Sequence, residues 1–207
     1  SPITGIMDYS YGNYKVYSLG TLEFSKDNYV IAGFEDKGEG VTFVSYNVEN
    51  LSLFDDPGKY KGIARQIVNV LSSPDILILH EVMDDSGSLD DGVVSAEKTI
   101  MKLIDSIIDA GGPIYNYSDP VPINDQGGGI EGGNIRTILL YRTDKGILLD
   151  KPKESRNEYT YGNDRFFVNQ NPIVIGRFNR EFENSRKPPI WLMSQNGTQF
   201  IVVGVHL

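Results

Sequence analysis

An α+β fold, with a mixed sheet packed against helices, is what this sequence predicts, on three observations. Two apolar runs, Val41–Val44 and Ile76–Leu79, read as buried strands. Each is followed by a segment whose apolar residues recur at helical spacing. Near the C-terminal end, two further strands flank Asn196-Gly197, the dipeptide most typical of a two-residue hairpin turn. Early helices with later hairpins imply parallel and antiparallel pairing in one architecture.

Taken in order, residues 1–40 read as the tail of a small β module with its linker, and residues 41–207 as the main domain. Tyr9, Tyr11, Tyr14 and Tyr17 surround a Gly12-Asn13 turn, a strand–turn–strand signal. A further strand and a glycine-rich, charged linker run to Gly40. After the Val41 strand, Ile63, Ile67, Val70 and Leu71 share one face of a helix expected over about 59–72. Ala96, Ile100, Leu103, Ile104, Ile107 and Ile108 do the same over about 93–110, where Gly111-Gly112 stops the helix. Strands are expected at 137–142, 146–149, 190–194 and 199–206.

Composition narrows the function classes. The chain has 207 residues and 40% hydrophobic content, enough for a domain with its own core. No run approaches the roughly 18 apolar residues of a membrane span. With no cysteine, disulfides and thiolate metal sites are excluded. The formal net charge is −9, which argues against a module that grips nucleic acid by charge alone. It suits an enzyme that meets phosphates through a divalent cation, or simply an acidic surface. The chain begins Ser1-Pro2, which reads as a processed or excised start.

Several motifs are matched in spelling only. His80-Glu81-Val82-Met83-Asp84 opens like a zinc-protease helix, but its fifth residue is not His and it lies at a strand end. Gly127 to Gly132 spells GxGxxG, yet precedes a strand where a nucleotide fingerprint must follow one. Neither a P-loop nor a GxSxG elbow occurs.

What survives lies at strand ends. Both early strands run apolar and then deliver polar groups, Asn47 from one and His80-Glu81 from the other. Ligands of mixed α/β sheets collect outside the carboxyl ends of strands, so Asn47 and Glu81 are placed to converge. Asn134 and Arg136 stand at the mouth of another strand, Arg186 just before the strand at Ile190, and His206 at the end of the last. Singly, such an Arg is usually a salt-bridge partner and such a His an ordinary strand residue. Together, a carboxylate, carboxamides, guanidiniums and an imidazole suit a phosphate ester beside a hard cation.

The segments "VTFVSYNVENL", "PDILILHEV", "GGNIRTILLYR", "NSRKPP" and "VVGVHL" resemble, in order, strands of the endonuclease/exonuclease/phosphatase superfamily, closest to its secreted bacterial and archaeal nucleases. The resemblance implies a deoxyribonuclease-like four-layer α/β sandwich, here its N-terminal half. It implies Glu81 and Asn47 as metal-site residues, for Mg2+ or Mn2+ and also Ca2+. It makes His206 catalytic along with Glu81 and Asn47, and gives Asn134, Arg136 and Arg186 to the substrate phosphate. The implied activity is metal-dependent hydrolysis of nucleic-acid phosphodiesters, on DNA in preference to RNA, by a secreted or cell-surface protein.

Two features depart from the family pattern. His80 stands where a Gln is usual, and the Gly-Asp-x-Asn and Asp-His segments of the family's second half do not occur before Leu207. The expectation is therefore one sheet with its helices, an uncovered apolar inner face, and a chain inactive until a missing half or a completing chain is supplied. A non-catalytic surface or assembly protein, and a phosphatase of the same superfamily, remain as alternatives.

Overall fold

The computed structural model describes residues 4–10, 12–20, 40–151, 170–177 and 180–206. The chain separates into two compact units, 1–32 and 33–207. In the first unit, strands β1 (Gly5–Ser10) and β2 (Asn13–Ser18) pair antiparallel, with Tyr9 opposite Tyr14. That is the predicted hairpin. The strand and linker expected between it and Gly40 lie outside the described residues.

The second unit is built around a mixed four-stranded sheet ordered β3-β4-β6-β5. Its strands are β3 (Phe43–Leu51), β4 (Ile76–Val82), β5 (Asn116–Ser118) and β6 (Arg136–Tyr141). β3 and β4 run parallel, while β6 is antiparallel to β4 and to β5. A parallel pair needs a crossover connection, and helix α1 (Pro57–Arg65) provides it. Asp56 caps α1 through Gly58 N, and Pro57 occupies the first turn, where its missing N–H loses nothing. The predicted helix continues beyond Arg65 only as a π-helical turn, Gln66–Val70. That widening brings Val68 rather than Val70 against the core.

Helix α2 spans Glu97–Asp109 and begins later than expected, because Ser95 and Asp85 cap it by accepting from Glu97 N and Thr99 N. It stops at Gly111, whose φ of +87° a side chain would resist. Ile100, Leu103, Ile104 and Ile107 are buried as predicted, whereas Ile108 falls on the exposed flank. Side-chain alternation then divides the sheet. Leu77, Leu79, Ile138 and Leu140 pack under the two helices. Ile76, Ile78, Leu139 and Tyr141 face the other way.

That second face corrects an expectation. A second sheet covers it, formed by β7 (Ile147–Leu149), β8 (Ile173–Val174), β9 (Pro189–Gln195) and β10 (Thr198–Val203), with β9 pairing all three others. Trp191, Met193 and Val202 fill the space between the sheets. Trp191 is fully buried and its Nε1 donates to Ser118 Oγ at 3.0 Å, tying β9 to β5. The cover thins at β3: Phe200 of β10 meets Phe43 edge-on, and Phe43, Ser45 and Asn47 stay exposed. β9 and β10 are joined through Asn196 and Gly197, with φ of +50° and +82°, as a turn with two left-handed residues requires.

Candidate functional site

Because β3 and β4 are parallel neighbours, their C-terminal ends coincide, with Asn47 in register with His80. Both ladders break there. Register shifts fall between Asn47 and Leu51 and between Leu79 and Val82, and Glu49, Asn50 and Glu81 all take positive φ. Strict alternation would send His80 toward the second sheet and Glu81 toward the helices. The +65° φ of Glu81 interrupts that alternation, and both side chains meet one residue, His206.

His206 Nε2 lies 3.3 Å from Glu81 Oε1, and the His206 ring stacks on His80 with centroids 5.1 Å apart. His80 is itself held from two sides. Its Nε2 is 2.9 Å from Ser45 Oγ on β3, and its Nδ1 is 3.0 Å from Thr137 Oγ1 on β6. Both partners are hydroxyls, so either tautomer of the neutral ring is satisfied. Burial, then the neighbouring His206, holds the His80 pKa below the ordinary histidine value, with Glu81 pulling the other way. Burial thus favours the uncharged form of the His80 ring, and His206 Nδ1 is buried with no partner among the described residues.

The six residues singled out in the sequence do not form one group. Glu81 and His206 meet. Asn47 occupies the same strand end, exposed, its Oδ1 accepting from Glu49 N at 2.8 Å. Asn134 lines a cavity of about 410 Å3, but its amide is engaged by the protein. It is 3% exposed, its Nδ2 donates to Asp84 Oδ2, Val93 O and Asn124 Oδ1, and its Oδ1 accepts from Asp125 N. Each polar atom is engaged in holding loops together.

Arg136, 4% exposed, pairs with Asp119 at 3.1 Å and donates to Val94 O and Asn134 O. Burial raises the Asp119 pKa, and the guanidinium beside it opposes that rise. Arg136 and Arg186 share the lining of a cavity of about 30 Å3, together with Thr137. Thr137 thus borders the cavity on one side and holds His80 on the other. The residues missed in the sequence are Ser45, Thr137 and Asp119. Ser45 and Thr137 could have been found by alternation, since each shares a sheet face with His80.

Among the described residues, no group of three or more His, Asp or Glu side chains is arranged to hold a metal ion. One carboxylate with carboxamide oxygen nearby still fits Mg2+, which keeps several waters and takes only one or two protein carboxylates. Glu81 meets that description, with the His206 imidazole Nε2 3.3 Å from its Oε1.

The second unit is thus an α+β domain that gathers a glutamate and two histidines at the C-terminal ends of paired strands. Scanned against models of protein families, the sequence matches none. A search of curated proteins likewise finds no relative.

Proposed function

We propose that this chain carries part of the catalytic centre of a metal-dependent phosphodiesterase acting on nucleic acid, in a sandwich of the deoxyribonuclease-like type. The observation that supports the reading most is the convergence of Glu81 and His206, which lie 125 positions apart in the 207-residue chain, at 3.3 Å. Glu81 and Asn47 would hold the cation, which when bound supplies positive charge to a phosphate oxygen. Glu81 keeps the His206 imidazole oriented through Nε2, and the flat face of His80 fixes the ring plane. His206 Nδ1 is buried with no partner among the described residues, and uncovering it would present it to a phosphate or leaving-group oxygen. Ser45 and Thr137 prevent His80 from turning away.

Metal binding by the chain itself is the test. Titrate Mn2+ and follow its aqueous resonance signal, then repeat with Glu81→Gln after checking that the fold is intact by circular dichroism. Loss of a carboxylate ligand should weaken the site by more than the roughly 10–100-fold that loss of an outer-shell partner brings. Equal Mn2+ affinity in the two proteins would remove Glu81 from the site. In a protein that supplies the remaining catalytic groups, the same substitution should abolish Mg2+-supported nicking of plasmid DNA.

A further inference from the structure

The cavity shared by Arg136 and Arg186 has a composition at odds with the rest of the chain. The protein carries a formal charge of −9, yet the charged residues lining this cavity are Arg136, Arg177, Arg186 and Lys187, with no carboxylate among the lining. Asp119 neutralises Arg136. Among the described residues, Arg177, Arg186 and Lys187 form no ion pair; Arg177 donates to Val121 O and Lys187 to Gln126 O. Apart from Thr137 the remaining walls are mainly apolar, from Pro120, Val121, Pro122, Ile123 and Val174.

A second observation points to a ligand. Arg136 Nη2 and Arg186 Nε are both buried and find no acceptor among the described residues. Buried donors of charged groups rarely stay unpaired. At about 10–15 Å3 for each water-sized group, the cavity's volume of about 30 Å3 takes about two such groups, so oxygens of a phosphate fit beside the two arginines. An anion meeting these constraints directs oxygens toward the two arginines and shares its remaining charge with Arg177 and Lys187, which line the same cavity. A tetrahedral phosphate diester has that shape, with two non-bridging oxygens.

We propose that this cavity is a phosphate subsite, separate from the Glu81–His206 cluster, which receives a non-bridging oxygen of a second phosphate on the same polyanionic strand. Thr137 connects the two sites, lining the cavity while bonding His80. The identity of the polyanion as nucleic acid rests on the phosphodiesterase reading, whereas the phosphate chemistry rests on the cavity alone.

Two measurements separate these layers. First, inorganic phosphate is titrated while the arginine Nε–Hε resonances are followed by NMR; the Arg186 signal should shift saturably. Second, a fluorescein-labelled 12-nucleotide single strand is titrated in EDTA against wild type and against the Arg177→Gln, Lys187→Gln double variant, over a range of salt. Losing two phosphate-facing cations should flatten the dependence of log Kd on log salt by about 1.4, at roughly 0.7 per contact. A phosphate-dependent shift without strand binding upholds the subsite and sinks the nucleic-acid reading. No shift of Arg186, or strand binding with an unchanged salt slope, overturns the subsite and leaves the Glu81–His206 reading standing.

Discussion

Asn134 is where a structural role and a substrate role predict opposite results, and Asn134→Ala decides between them. Asp84 is fully buried, and the amide of Asn134 supplies a hydrogen bond to its Oδ2 at 2.9 Å. Oδ1 of Asp84 would keep Ser86 N and Ser86 Oγ, but Oδ2 would lose that donor. A hydrogen bond to a charged group contributes about 1.5–3 kcal/mol. The same substitution strands Asp125 N and Val93 O, for which about 1 kcal/mol allows partial rescue by water. Asn134 also has φ of +43°, a region an alanine occupies at roughly 1 kcal/mol. The sum is a loss of about 3–5 kcal/mol. Urea unfolding followed by the fluorescence of Trp191, the sole tryptophan, measures it directly. A drop below about 1 kcal/mol with an unchanged m-value would refute the network and return Asn134 to the substrate.

Three further outcomes follow from the packing. Trp191→Phe removes the bond to Ser118 and part of a fully buried ring; urea unfolding followed by circular dichroism should show a loss of about 2–3 kcal/mol, and a loss near zero would mean the sheets are not joined there. A Cβ on Gly204 would lie 2.9 Å from Thr137 Cγ2 and 3.1 Å from Trp191 Cζ3, so Gly204→Ala should cost about 1–3 kcal/mol and shift the His206 ring signals in NMR; unchanged spectra would contradict this. Burial lifts the folded pKa of Asp119 above its unfolded value, so the folded state binds the proton more readily and stability declines as pH rises through that window. Arg136→Met removes the opposing charge, raises that pKa further, and should make the decline between pH 4 and pH 7 steeper than in wild type. Parallel pH profiles for the two proteins would disprove it.

How much of this was legible depended on whether local rules decided the outcome. The Asn196-Gly197 hairpin was, because a two-residue turn with two left-handed residues admits few sequences. The apolar faces of α2 were readable because its periodicity is strong, and only Ile108 was misplaced. β5 and β8, with three and two residues, were not. Strands that short hold through pairing with β6 and β9, and carry no pattern of their own. The second sheet was underestimated for the same reason. In the candidate site, Glu81 and His206 were found as polar groups at strand ends. The separation of Arg136 and Asn134 from them was invisible, because it depends on Asp119 and Asp84, which the fold brings in from 17 and 50 positions away.

Glu81 carries the remaining argument, since it sits in a conformation that side chains resist. Its φ is +65° within a strand otherwise buried and regular. Such a backbone costs roughly 1–3 kcal/mol and persists only where surrounding structure enforces it. What it achieves is geometric: without it, alternation would aim His80 and Glu81 at opposite faces, and His206 could not touch both. Glu81→Ala and Glu81→Gly both delete the carboxylate and its contact with His206, so their difference isolates the backbone. In an unstrained strand, glycine is the weaker choice by roughly 0.5–1 kcal/mol. Here the order should reverse, with Glu81→Gly the more stable by about 1 kcal/mol, because alanine retains the Cβ that disfavours positive φ. Urea midpoints of the two variants, measured side by side, give the answer. If alanine is equal or better, the bulge is no strained device, and the meeting of Glu81 with both histidines needs another cause.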